Sequence, residues 1–307
     1  MSGNEIISVR TRLGFIGLGH LGAPIARRLL AAGFPMVVYN RDRAKAEPLA
    51  DLGAAVAQHP AELAREVDVV LSCLADWPAV EAVYLGKGEV LRSARPGTRI
   101  VELSTISPET SRRLHKSARQ FDLAALDVPI SGSTPAAEAG ALTLFGGGER
   151  PVFESAGPIF SAIAKQWFYM GPAGSGVAMK LVVNALLGVG MQAVAEAVVL
   201  GEGLDLPRDL LFEVLAKTAV VAPAHVGKLA AAKEYDYAPQ FPVRLMQKDF
   251  GLILAAAAER HFTMPATEAA AVINSAEASS GREEDFSAVI RRMEQEAGTV
   301  DLLPPAA

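Results

Sequence analysis

In the first half of the chain, short apolar runs alternate with stretches whose apolar positions recur every three to four residues. The runs at 13–16, 36–39, 67–71, 99–103 and 123–128 read as strands, and 24–32 and 108–120 as helices between them. The second of these helices carries its own start signal, Ser107 at the N-cap and Pro108 at the first helical position. Strands alternating with helices predict a parallel sheet covered on both faces. A further strand at 142–145 leads into a glycine turn, Gly146-Gly147-Gly148, and 166–169 suggests one more. After Gly171-Pro172 no strand pattern survives. Helical patterns at 177–203, 207–218, 243–260, 265–278 and 286–295 take its place. The predicted fold is therefore α/β: an N-terminal doubly wound sheet over 12–172, then an all-α C-terminal domain over 173–298. The tail 299–307, with Pro304-Pro305, reads as frayed. There is no internal repeat.

One stretch, 177–200, is apolar enough and long enough to span a bilayer. It carries Lys180, Asn184, Gln192 and Glu196, each costly in hydrocarbon, so a central helix buried on most sides fits better than a membrane span.

Composition narrows the function classes. A length of 307 residues fits two domains, and 50% hydrophobic with 21% charged residues excludes a disordered chain. Aromatic residues make only 6%, which leaves little for stacking platforms on single-stranded nucleic acid. A net charge of −5 disfavours a phosphate-backbone binder, so no nucleic-acid partner is expected. The one cysteine, Cys73, cannot form an internal disulfide. Met1 to Arg10 lack the basic-then-apolar order of a signal peptide. A cytoplasmic location is expected. His20, His59, His115, His225 and His261 form no metal-ligand spacing with Cys73, so no metal is expected.

The candidate chemistry begins at Gly17-Leu18-Gly19-His20-Leu21-Gly22, which follows the first strand and opens the first helix. In that context the first glycine permits a tight turn, the second lets backbone approach a pyrophosphate, and the third allows close helix packing. Helix N-terminal N–H groups then face the phosphates, the hallmark of a Rossmann-type dinucleotide site. The second strand ends at Asn40-Arg41, about 20 residues on, where an acidic residue would hold the ribose 2′-hydroxyl of NAD. Neutral Asn40 followed by the forked guanidinium of Arg41 favours the 2′-phosphate of NADP, although Asp42 opposes it and NAD stays possible.

Asp127-Val128-Pro129-Ile130-Ser131-Gly132-Ser133 lies at the carboxyl end of a strand, the edge where doubly wound sheets bind ligands. Its small residues suit either an ordinary turn or a loop whose N–H groups hold an anion. Lys180 and Asn184, four apart, share one face of the long apolar helix. The lysine either reaches solvent from the helix start or is desolvated among Val177, Met179, Leu181 and Val182, which would draw its pKa toward the proton-transfer range. Lys248-Asp249 by itself reads as a solvated helix pair.

Taken in order, these segments resemble the β-hydroxyacid dehydrogenase family, whose best-known member is 3-hydroxyisobutyrate dehydrogenase. The residues are the loop from Gly14 to Gly22, the segment Glu102-Leu103-Ser104-Thr105-Ile106-Ser107-Pro108, the loop from Asp127 to Gly132 continued through Gly140, Leu142 and Gly146 to Gly148, Gly174-Ser175-Gly176 with Lys180 and Asn184, and Lys248-Asp249 within 246–251. The resemblance implies an NADP-dependent oxidoreductase that interconverts a short hydroxyacid and its semialdehyde or keto acid. It assigns Lys180 as the catalytic lysine and Asn184 to substrate placement. Ser131, Gly132 and Ser133 would hold the substrate carboxylate. Thr105, Lys248 and the pair Cys73-Leu74 join the glycine loop in contacting cofactor. It also implies a homodimer or homotetramer, as does the apolar surplus of 177–200.

Three departures stand out. Leu21 replaces a usual methionine, Ser133 a second glycine, and Ala75-Asp76 stands where many relatives have proline. The alternatives are an imine reductase, which generally lacks the lysine, and a non-catalytic dinucleotide-binding scaffold, which loses it too.

Overall fold

The computed structural model describes residues 6–299; the predicted frayed tail lies outside them beyond Thr299, as does Met1–Glu5 of the segment read for a signal peptide. The chain divides into two compact units, one ending at Leu181 and the other beginning at Val182.

The first unit is built on one sheet: β1 (Leu13–Ile16), β2 (Met36–Tyr39), β3 (Ala55–Val56), β4 (Val69–Ser72), β5 (Arg99–Glu102), β6 (Ala124–Asp127), β7 (Ile130–Ser131), β8 (Leu142–Gly148) and β9 (Ala164–Gly171). Strand order is β3-β2-β1-β4-β5-β6-β8-β7, with β9 added on β8. The run from β3 to β6 is parallel, as the alternation with helices predicts. Successive residues of the central strands feed two separate cores: Phe15, Val69, Leu71 and Val101 one, Ile16, Val70 and Ile100 the other. Both faces are therefore buried, and the strands read as continuous apolar runs.

The sheet departs from an all-parallel one at β8, which runs antiparallel to β6 and β7. Only a five-residue helix, Thr134–Glu138, separates β7 from β8, too short a connection for a parallel crossover. Strands β3 and β7 have two residues each, too few to leave a pattern in the sequence. Gly146 to Gly148 are not a turn but the end of β8. Gly147 pairs with Asp127, and a Cβ there would lie 2.7 Å from that carboxylate and 2.8 Å from Gly176 N. Gly146 and Gly147 are there for close approach, whereas Gly148 also takes a φ of +137° that side chains rarely adopt.

The second unit is helical. The helix Ser175–Gly203 runs from the first unit into it, followed by Arg208–Lys217, Pro223–Lys233, Val243–Glu259, Pro265–Ala278 and Val289–Ala297. Pro223–Lys233 has no counterpart in the predicted elements; its run of small residues, Ala230 to Ala232, and central Gly227 blur the period. The predicted helix 286–295 divides into a 3₁₀ turn, Phe286–Ala288, and an α-helix, because the Asp285 side chain accepts from Ser287 N at 3.1 Å and caps the turn. Helix Ser175–Gly203 is long and apolar enough to cross a membrane by length and composition, and 39% of its most apolar window is buried. That corrects the expectation of burial on most sides: Val182, Leu186 and Leu200 are exposed.

Candidate active site

The carboxyl ends of β1, β2, β4 and β5 meet around the glycine loop. Gly17, at φ +94°, occupies backbone space that a side chain could not share, since a Cβ there would lie 2.4 Å from the Cys73 carbonyl. Gly22 packs as tightly, its Cβ position 1.9 Å from the Gly17 carbonyl. Gly19 differs. A Cβ on it would meet nothing within 4 Å, so the middle of the loop faces open space. The helix that follows, Gly22–Ala31, has no side-chain cap and no acidic residue in its first turn. Uncapped N–H groups, the positive end of the helix dipole and an open glycine fit a dinucleotide pyrophosphate.

Asn40 has a more definite task than the absence of an acid. Its Oδ1 accepts from Leu18 N at 2.9 Å and its Nδ2 donates to the Asp42 carbonyl at 2.8 Å. An aspartate could keep the first bond but not the second. Leu18 is itself buried, and its N–H is spent on Asn40. Arg41 is exposed, while the Asp42 carboxylate turns back to accept from Ala44 N at 3.2 Å.

Cys73-Leu74 and Thr105 are brought to the same edge. Cys73 N donates to the Ile16 carbonyl at 2.9 Å, and Leu74 N to Ser104 Oγ at 2.7 Å. Behind them lies a buried cluster that the pattern of residues does not announce. Glu102 is 1% exposed; its Oε1 accepts from Ser104 N at 2.8 Å and its Oε2 from Ser72 Oγ. Tyr84 OH lies 2.5 Å from Ser72 Oγ. Burial pushes the Glu102 carboxyl up from about 4.5 to about 7, with the Ser104 and Ser72 bonds opposing. The Tyr84 phenol is raised by burial first and by the Glu102 charge second.

The loop after β6 adjoins the glycine loop. Thr134 Oγ1 donates to the His20 carbonyl at 3.4 Å, bringing Ser131, Gly132 and Ser133 next to the exposed His20. Ser131, in β7, pairs with Thr143 of β8, and Gly132, at φ +142°, is exposed. Asp127, at the end of β6, accepts from Gly174 N at 2.9 Å through Oδ1 and from Val177 N at 3.0 Å through Oδ2. These are N–H groups at the start of the helix that bears Lys180. His115 Nε2 lies 3.2 Å from Asp127 Oδ1, within ion-pair range but not aligned as a hydrogen bond. Lys180, one turn beyond Val177, retains only 9% exposure, which decides against a side chain extended into solvent.

In the second unit Asn184 is fully buried, and its Nδ2 donates to Asp249 Oδ2 at 2.5 Å. A carboxylate only accepts, so the amide's donor end faces Asp249. Its Oδ1 has no hydrogen-bond partner among the described residues. Lys248 Nζ sits 2.9 Å from Asp249 Oδ1. Lys248-Asp249 is thus not a solvated pair, because Asp249 is 1% exposed. Sequence reading missed the tasks of Asp127, Glu102 and Asp249. All three stood inside the quoted motifs, but no role was read for any of them.

Comparison with known proteins agrees with this layout. Residues 12–171 match the family model of the NAD-binding domain of 6-phosphogluconate dehydrogenase, and residues 174–293 that of NADP-dependent 3-hydroxyisobutyrate dehydrogenase. Glyoxylate/succinic semialdehyde reductase 1 of Arabidopsis thaliana is 34% identical over 91% of this chain and 96% of its own length. The NAD-dependent L-serine dehydrogenase of Pseudomonas aeruginosa is 37% identical over 80% and 85%. The structure of 3-hydroxyisobutyrate dehydrogenase from Mycobacterium tuberculosis with L-serine superposes with a TM-score of 0.83 at 33% identity, covering 92% of this chain and 99% of that one. With a doubly wound sheet, an open glycine loop and matches along both units, the chain belongs to the 3-hydroxyisobutyrate dehydrogenase-type family of NAD(P)-dependent oxidoreductases, the β-hydroxyacid dehydrogenases, which act on CH–OH groups.

Proposed function

We propose that the chain is an NADP-dependent reductase that interconverts a short β-hydroxyacid and its semialdehyde or keto acid, with Lys180 as the proton-transfer group. The observation that carries the reading is Lys180 itself: a lysine held at 9% exposure one helical turn from a fully buried amide, Asn184. A lysine so nearly buried, in a helix this apolar and one turn from a buried amide, is placed as a proton-transfer group needs to be. Imine reductases and non-catalytic relatives generally lack this lysine, so its presence favours the dehydrogenase reading.

A bound nicotinamide supplies the hydride in reduction and takes it in oxidation. The remaining work falls to the chain. As negative charge builds on the carbonyl oxygen, Lys180 Nζ delivers the proton; in oxidation it takes the hydroxyl proton back. Asn184, its amide fixed by Asp249, turns Oδ1 toward a hydroxyl rather than exchanging protons. The N–H groups around Ser131, Gly132 and Ser133 hold the substrate carboxylate, giving acids an advantage over plain aldehydes. Cofactor contacts fall to Gly17, Leu18, Gly19, His20, Leu21, Gly22, Asn40, Arg41, Cys73, Leu74 and Thr105, with Lys248 added by the family resemblance. Arg41, exposed beside a neutral Asn40, supports NADP over NAD. The working form in this reading is a cytoplasmic homodimer or homotetramer.

The test is NADPH oxidation with glyoxylate, succinic semialdehyde, tartronate semialdehyde and methylmalonate semialdehyde, each beside a plain aldehyde of matching length. Turnover of at least one acid well above its plain counterpart is expected. Equal or absent turnover of all the acids refutes the proposal.

A further inference from the structure

We infer that Asp127 is a positioning residue: its carboxylate seats the first turn of helix Ser175–Gly203 on the sheet edge and so sets where Lys180 stands beside the substrate loop. The inference rests on the reading of Lys180 as the proton-transfer group.

The start of the helix is held from elsewhere in the fold. Gly174-Ser175-Gly176 leads in; Ser175 N donates to the Pro172 carbonyl at 3.0 Å, while the N–H groups of Gly174 and Val177 both go to Asp127, 47 and 50 residues earlier in the chain. One carboxylate thus does across the fold what an N-cap residue does locally, and its negative charge meets the positive end of a 29-residue helix. The fit is close on every side. A Cβ on Gly176 would lie 2.3 Å from the Phe145 carbonyl and 2.5 Å from the Asp127 carbonyl. A Cβ on Gly147 would lie 2.7 Å from both Asp127 carboxylate oxygens. Glycine at both places lets helix backbone, strand backbone and carboxylate come into direct contact. His115, 6% exposed on the helix Pro108–Arg119, approaches Asp127 Oδ1 from the other side.

The consequence is geometric. Asp127 closes β6, and the substrate loop through Ser131 follows it directly. From Val177, whose N–H the carboxylate holds, Lys180 is three residues on, along the same stripe of the helix. The distance between the loop that would hold a carboxylate and the lysine that would protonate the carbonyl is therefore fixed by two hydrogen bonds at one residue. An amide in place of the carboxylate accepts only one of the two and turns an NH₂ toward the other N–H. The first helical turn then shifts. Misplacement of a reacting group by about 1 Å costs on the order of a hundredfold in rate.

The experiment is a double-mutant cycle of wild type, Asp127→Asn, Lys180→Ala and the double variant. It is assayed at saturating NADPH with whichever of the four acids above the wild type reduces fastest, and NADPH binding is followed by fluorescence. Asp127→Asn is expected to lower kcat by roughly 10- to 100-fold with NADPH affinity within about twofold. In the Lys180→Ala background the same substitution is expected to change kcat by less than about twofold, because the group it positions is gone. A merely structural role predicts the same proportional loss in both backgrounds, and that result overturns the inference, as does an unchanged kcat in Asp127→Asn. Should Asp127→Asn not fold, Asp127→Glu keeps both acceptors and the charge while moving the helix start, and the same cycle applies. A Lys180→Ala enzyme with near-normal turnover is a separate outcome: it overturns the role of Lys180, and the positioning inference falls with it.

Discussion

Replacing Glu102 by glutamine removes a titrating carboxyl from the first unit while keeping its shape and its bonding partners. Oε1 still accepts from Ser104 N, and the new NH₂ donates to Ser72 Oγ, which can then donate to Tyr84 OH instead of to the carboxylate. In the wild type the folded chain holds the Glu102 proton up to about pH 7, because burial outweighs the Ser72 and Ser104 bonds. The unfolded chain gives it up near 4.5. Below that value both states are protonated and the group's contribution is constant. Between about 4.5 and 7 the folded state binds more protons, so stability falls as pH rises. Above 7 both states are ionised, and the fold is less stable than in acid by the difference between the two pKa values. At 1.36 kcal/mol for each pKa unit, that is about 3 kcal/mol. Urea unfolding of wild type and Glu102→Gln at pH 5 and pH 8.5 isolates the group, since every other titration is common to both. Because pH 5 already lies above the unfolded value, the variant is expected to gain on the wild type by about 2.5 kcal/mol from the lower pH to the higher. Stability curves that run parallel across that range would refute the account of Glu102 as a buried acid opposed only by neutral donors.

Lys180→Ala should lower kcat by roughly 10²–10⁴ with an acid-bearing aldehyde, while NADPH affinity stays within about twofold; near-normal turnover in a stopped assay contradicts its role. Arg41→Ala should narrow the preference for NADPH over NADH by roughly tenfold to a hundredfold, the worth of one charge-assisted contact, as read by fluorescence titration of both dinucleotides. Equal affinities in the unmutated protein would remove the basis for that expectation. Leu186, 74% exposed beside Val182 on the long apolar helix, marks a subunit contact in the homo-oligomeric reading. Sedimentation at micromolar concentration should give a dimer or tetramer for the wild type and smaller species for Leu186→Glu, and a wild-type monomer would be decisive against it.

What could be read from sequence was local. Runs such as Leu13–Ile16 and Met36–Tyr39 are buried on both faces, so their apolar continuity betrays them, and the glycine loop is recognisable because it sits between such a strand and a helix. Lys180 and Asn184 were visible as two polar residues on one apolar face. The misreading of Gly146 to Gly148 as a turn has a physical origin: glycine marks both bends and close approaches, and only the position of Asp127 and Gly176 tells which applies. The carboxylate partnerships were beyond reach for a similar reason. Asp127 meets Gly174 and Val177, Glu102 meets Ser72 from 30 residues away, and Asn184 meets Asp249 from 65. No spacing rule within one element reports such pairs.

These three buried acids also explain why a lysine, not a carboxyl, is the group to assign to proton transfer. Asp127 is committed to two helix N–H groups with His115 beside it. Asp249 is committed to the Asn184 amide and the Lys248 ammonium. Both acids are thus spent on fixed contacts within the fold and serve as anchors. Glu102 is driven toward its neutral form by burial, which the bonds from Ser104 and Ser72 only partly offset. Yet it lies behind Ser104, which stands between it and Leu74 through the bond to Leu74 N. It braces the cofactor edge rather than opening onto it. Lys180 is the titratable side chain that combines near-burial with a place one turn beyond an anchored helix start and one turn before an amide whose acceptor end is unspent. In the proposed reaction the carbonyl oxygen needs a proton donor, and Asp127, bound to Gly174 N and Val177 N, is occupied in holding the helix start on which that donor stands.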